Sequence, residues 1–129
     1  MTTKDLWGSI SRVEPVDSPV RVLQEQAELL KQKTKGQLVG GVATQALQNR
    51  LRTTLAVIAP GLDNYRFDLV SIYHTYDFYP LVLSDDLNKK RKRCHSESEF
   101  KKGLEAILSS EETHSRLQRV LAAISKKKS

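Results

Sequence analysis

The sequence predicts an α+β domain: an N-terminal helix, a four-stranded antiparallel meander, and two C-terminal helices packed on one sheet face. Three observations lead there. Apolar residues recur at spacings of three and four between Ser18 and Gly36. Between residues 37 and 84 that period gives way to β-branched and aromatic runs separated by turn formers. After residue 95 the helical period returns twice, each time behind a capping signature.

The first helix is the best specified. Ser18 offers an oxygen to the free amides of the opening turn, and Pro19 sits where its fixed φ and missing N–H cost nothing. Val20, Leu23, Ala27 and Leu30 form its apolar stripe, widened by Val22 and Leu29. Lys31, Lys33 and Lys35 favour the negative pole, and Gly36 supplies a left-handed stop. Upstream, residues 1–17 contain Gly8 and Pro15 and hold no period, so they read as an arm, with Trp7 and Ile10 pinning it to the body.

Strands are expected at about 37–47 and 51–59. Leu47, Leu51, Leu55 and Ile58 also fit one face of a helix over 43–59, but Gly40-Gly41, the β-branched Thr53, Thr54, Val57 and Ile58, and the turn-like Gln48-Asn49 favour the strands. After the turn formers of 60–64, residues 65–75 give the longest strand, with Tyr65, Phe67, Leu69, Ser71 and Tyr73 on one face and Arg66, Asp68, Val70, Ile72 and His74 on the other. A fourth strand spans 78–83, and Pro80 suits an edge or a bulge because it has no amide hydrogen to donate. Ser96 and Glu99 form a capping box for a helix with Phe100, Leu104, Ile107 and Leu108 inward. The stretch 109–112 repeats that signature ahead of Leu117, Val120, Leu121 and Ile124, and residues from Ser125 onward are expected to fray.

These elements make one domain over 18–125, with a basic connector at 88–95 and a basic flexible tail at 126–129. A chain of 129 residues suits a single core. No run of about 18 apolar residues offers a membrane span, so a soluble protein with no membrane partner is expected. The opening residues lack the apolar core of a secretory signal, and one cysteine makes no internal disulfide, which together point to the cytoplasm.

Charge is distributed unevenly. Residues 1–87 carry nine Lys/Arg against ten Asp/Glu, whereas 88–129 carry twelve against five. The basic pI therefore arises from Lys89-Lys90-Arg91-Lys92-Arg93 and Lys126-Lys127-Lys128, read as solvated appendages on a nearly electroneutral body. Five adjacent cations also suit salt-sensitive, sequence-blind binding of nucleic acid, or nuclear import in a eukaryote.

No P-loop, dinucleotide fingerprint, H-E-x-x-H or G-x-S-x-G occurs, and His74, His95, His114 and Cys94 do not reproduce a structural zinc spacing. No catalytic residue, metal or cofactor is expected. Cationic neighbours favour the Cys94 thiolate, but the adjacent His95 is poorly placed as its base. Six of the eight aromatic residues fall between 65 and 79, chiefly as core and rim, with Tyr73 and Tyr76 able to offer a rigid contact surface. The leading expectation is a protein-interaction or adaptor module without catalytic activity, binding through an exposed sheet face or edge with Tyr73, Tyr76 and the cations of 89–93. One alternative is a nucleic-acid-binding protein using the basic connector. The other is a small metal-independent ribonuclease, in which Arg50, Arg52, Arg66, His74 and Tyr76 share a sheet surface, His74 takes a proton and arginine steadies phosphate charge.

Overall fold

Ser18 caps the first helix as its sequence demands: its Oγ accepts from the Arg21 amide at 3.1 Å, and Pro19 opens α1, Pro19–Lys33. Lys35 and Gly36 both take positive φ beyond it, and the Gly36 amide reaches back to the Lys31 carbonyl at 2.8 Å. The computed structural model describes residues 3–8 and 18–128. Five strands follow α1, namely β1 Val39–Ala46, β2 Leu51–Ala59, β3 Tyr65–His74, β4 Leu81–Asp85 and β5 Lys90–Cys94, with a short 3-10 turn at Pro60–Leu62. Two helices complete the chain, α2 Glu97–Leu108 and α3 Glu111–Lys128. The sheet order is β1-β2-β3-β4-β5 with every neighbour antiparallel, so the fold is an α+β meander of five strands rather than four.

The added strand is the basic run itself. Asp85 builds the turn before it, its Oδ1 accepting from the amides of Leu87 and Asn88 and its Oδ2 from the Asn88 side chain, while Lys89 adopts the left-handed conformation. Residues 90–94 then pair with Leu81–Asp85 as an edge strand, and the connector expected at 88–95 is ordered. Charged edges are a common protection against unwanted strand addition, so a polycationic strand fits where an apolar one would aggregate.

All three helices lie on one face of the sheet. Leu55, Val57, Val70, Ile72, Leu81, Leu83 and Cys94 point toward them and pack with Leu23, Leu38, Phe100, Leu104 and Ile124. Gly40 permits the close approach of α1 to β1, because a Cβ there would lie 2.5 Å from the Ala27 Cβ. Residues 43–59 are strands and a tight turn, closed by the Leu47 amide donating to the Arg50 carbonyl at 2.8 Å. Pro80 precedes β4 and therefore deprives the ladder of nothing.

Three finer expectations are corrected. A bulge in β3, opposite the Leu55/Ala56 step of β2, makes Leu69 an extra residue. The strand changes phase there, so Phe67, Val70, Ile72 and His74 face the helices while Arg66, Asp68, Ser71 and Tyr73 face away, and no single alternation runs through 65–74. Trp7 is 82% exposed and pins nothing, and Ile10 lies outside the described residues, as does the rest of the arm from 9 to 17. The last helix continues to Lys128 instead of fraying from Ser125, and Lys127 Nζ lies 3.4 Å from Asp63 Oδ2. Among the described residues no helix is long and apolar enough to cross a membrane.

Candidate site on the helix-free sheet face

Register decides which side chains meet on the face that, among the described residues, carries no helix. Arg52, Tyr73, Val82 and Arg93 line one row across β2, β3, β4 and β5, and Thr54, Ser71, Ser84 and Arg91 line the next. Arg50 enters from the β1–β2 turn. The guanidinium carbon of Arg50 stands 4.4 Å from the Tyr73 ring centroid, that of Arg91 4.9 Å and that of Arg52 5.8 Å. Three cations thus converge on one phenol, and Arg91 Nη2 also lies 3.4 Å from the Tyr73 hydroxyl. Each such contact at an exposed site contributes about 0.5–1 kcal/mol, while the like charges oppose one another.

Beneath the arginines lies a hydroxyl network. Ser71 Oγ donates to Asp86 Oδ2 at 2.6 Å, which commits its only hydrogen, so Thr54 must donate to Ser71 across 3.1 Å. Arg52 Nη2 also donates to Ser71 Oγ at 3.2 Å, and Ser84 Oγ donates to Asp86 Oδ1 at 2.9 Å. The Asp86 carboxylate is therefore held by two hydroxyls and not by a guanidinium. Among the described residues no ion pair joins Arg50, Arg52, Arg91 or Arg93 to a carboxylate, and Arg52 Nε is buried without a hydrogen-bond partner. The cluster concentrates positive charge on one part of the sheet, with the Asp86 carboxylate one hydroxyl removed from Arg52.

The residues singled out in the sequence are only partly gathered here. Tyr73, Arg91 and Arg93 lie together on the open face, joined by Arg50 and Arg52. Lys90 and Lys92 pair with Asp85 and Leu83 and turn toward the helix side, and Lys89 occupies the turn. Tyr76 is 84% exposed in the loop after β3. Arg66 sits on the same face but at the far end of β3, where it pairs with Asp68 at 3.8 Å. His74 points the opposite way and is buried. Its Nδ1 faces the Thr75 carbonyl at 3.2 Å and must donate, which leaves Nε2 to accept from the Thr53 hydroxyl at 2.8 Å; Thr53 in turn meets Thr44 Oγ1 at 2.8 Å. Both ring nitrogens are occupied, and the sheet separates them from the arginines.

Cys94 also departs from expectation. It is fully buried, with Sγ 3.9 Å from the Lys92 carbonyl, and burial pushes its thiol up even though Lys92 pulls the other way. Desolvation overrides the cationic neighbours that were expected to favour the thiolate. On the helix side, a groove of about 590 Å³ runs between α1 and the α2–α3 pair over Leu55 and Leu69. Its rim mixes Glu25 and Glu105 with Lys33 and Lys101, and it holds no share of the arginine cluster. Among the described residues no group of three or more His, Cys, Asp or Glu side chains is arranged to hold a metal ion.

Comparison of the chain with protein-family models, with curated proteins and with solved structures returned no match.

Proposed function

We propose that this chain is a non-catalytic interaction module that docks an acidic segment of a partner protein on its helix-free sheet face. The observation that carries this reading is the convergence of Arg50, Arg52 and Arg91 on Tyr73, with no carboxylate in direct ion-pair contact among the described residues. Guanidinium groups present planar donor forks suited to carboxylates, and the sheet beneath holds them with little freedom left to lose on binding. Asp68 and Asp86 on the same face limit the cationic area to one end of the sheet, which suits a short acidic segment better than a long polyanion. Guanidinium groups packed against Tyr73 also cover the ring that a nucleotide base would need for stacking.

A specific observation favours nucleic acid as the second reading. Lys90 and Lys92 extend the cationic surface around the free edge of β5 to the helix side. Fluorescence anisotropy separates the two, with a glutamate-rich peptide and a single-stranded RNA oligonucleotide of equal charge titrated at several salt concentrations. Tighter binding of the peptide is expected, and replacing Arg50 and Arg91 together with alanine should weaken it by about tenfold or more, equivalent to one lost charge-assisted contact. Tighter binding of RNA, lost when Lys90 and Lys92 are neutralised, transfers the assignment to the second reading. Binding of neither overturns both.

A further inference from the structure

The two edges of the sheet are built in opposite ways. β5 carries four cations in its five residues, whereas the eight residues of β1, Val-Gly-Gly-Val-Ala-Thr-Gln-Ala, include no charge and no proline. An exposed, regular, uncharged edge is a ready template for another strand. Its outward backbone groups follow from the turn. Leu47 and Arg50 form a hydrogen-bonded pair, so alternation along the ladder commits the N–H and C=O of Gln45, Ala43, Gly41 and Val39 to β2. Those of Gly40, Val42, Thr44 and Ala46 point away from the sheet. Leu38, next in that outward series, is already engaged, because its amide donates to Thr34 Oγ1 at 3.0 Å and its carbonyl, at 3.2 Å, shares that hydroxyl's one hydrogen with the Leu30 carbonyl at 2.9 Å. Among the described residues the four beyond it bond to nothing on that side.

We infer that β1 is a self-association edge, which pairs antiparallel with β1 of a second copy to make one continuous ten-stranded sheet. Centring the two-fold axis on Ala43 sets Val42 opposite the partner copy's Thr44 and Gly40 opposite its Ala46, the one register that satisfies all four outward residues. The contrast between the edges selects a second copy over a head-to-tail chain of sheets, because the cationic β5 resists strand addition and β1 does not. Uncharged β1 meets its twin without repulsion, and the two β5 edges then lie about 40 Å apart, far beyond the screening length of about 8 Å at physiological salt.

Two variants test this by sedimentation equilibrium over low to high micromolar protein. Thr44→Pro removes an outward amide hydrogen while sparing the ladder to β2, the edge position at which proline is tolerated. Ala43→Lys places two like charges directly opposite at the two-fold axis. Wild type is expected to reach twice its 14.6 kDa mass, with the dissociation constant raised about tenfold or more in each variant and the circular-dichroism spectrum unchanged. A wild-type protein that stays monomeric, a dimer untouched by both variants, or growth into species larger than a dimer overturns the inference. Thr44 pairs with Thr53 on the helix side and leaves the arginine-bearing face unchanged, so anisotropy measurements of peptide binding on Thr44→Pro stand or fall separately from the dimer.

Discussion

Substituting alanine for Gly40 is a stringent test of how α1 is seated. The added Cβ would lie 2.5 Å from the Ala27 Cβ and 2.7 Å from its Cα, about 1 Å inside ordinary contact. Neither partner has a torsion through which to escape, so α1 must lift off β1 and loosen the packing of Val22 and Leu23, both buried. Overpacking of this kind costs about 1–3 kcal/mol, and a backbone-to-backbone clash belongs at the upper end. The reduced freedom of the unfolded chain returns about 0.4–1 kcal/mol. A net loss of roughly 2 kcal/mol converts to a fall in Tm of about 7 °C for a domain of this size. Gly41→Ala is the control, since its Cβ would meet only the mobile end of Ile58 at 3.0 Å, and a shift under about 2 °C is expected. Thermal unfolding followed by circular dichroism reads both. Ala27→Gly combined with Gly40→Ala should recover part of the loss, giving a favourable coupling in a double-mutant cycle. Equal Tm values for the Gly40 and Gly41 variants would refute the close seating of the helix.

Leu23→Ala and Leu104→Ala, at positions 0% and 2% exposed, are each expected to cost on the order of 2–5 kcal/mol in denaturant unfolding; a loss below 1 kcal/mol at either would show that its helix face is wrongly assigned. Burial pushes the Tyr79 phenol up to about 12 from 10, aided by negative charge at Glu97 and Cys94. A group whose folded pKa exceeds its unfolded value stabilises fully below the unfolded value, so this contribution is intact below pH 10 and is lost as pH rises toward 12. Tyr79→Phe should flatten that alkaline decline without weakening the fold at neutral pH, because the buried hydroxyl has no hydrogen-bond partner, and a decline of unchanged slope would contradict the assignment. Cys94 should react with iodoacetamide only as fast as the protein opens, and labelling at the rate of a free thiol would show that its burial is wrong.

Local chemistry made the helices legible in the sequence. Ser18-Pro19 starts α1 as read, and Ser96 caps α2 by accepting from the Glu99 amide at 3.2 Å, although Glu99 reaches back to the His95 amide rather than to that of Ser96. The strands of 39–59 followed from β-branching and from the turn between them. β5 did not follow, because a polycationic run has no apolar period and its strand character comes from pairing with β4 and from Cys94 at its buried end. The turn formers at 85–88, standing between one strand and the basic run, were the available sign of a hairpin. The bulge at Leu69 was equally hidden, since one extra residue leaves no mark in composition yet moves Ser71 and Tyr73 to the opposite face from Phe67. The site was therefore named in pieces. Tyr73, Arg91 and Arg93 appeared in one candidate set and Arg50 and Arg52 in another, and only the register of four strands brings them to a single ring.

Backbone amide shifts recorded by NMR during titration with a glutamate-rich peptide locate the docking face residue by residue. Perturbations concentrated at Arg50, Arg52, Tyr73, Val82, Arg91 and Arg93, absent when Arg50 and Arg91 are both alanine, are the predicted result. Perturbations confined to Leu29, Leu104 and His114 around the helix-side groove, or none at millimolar peptide, would contradict it.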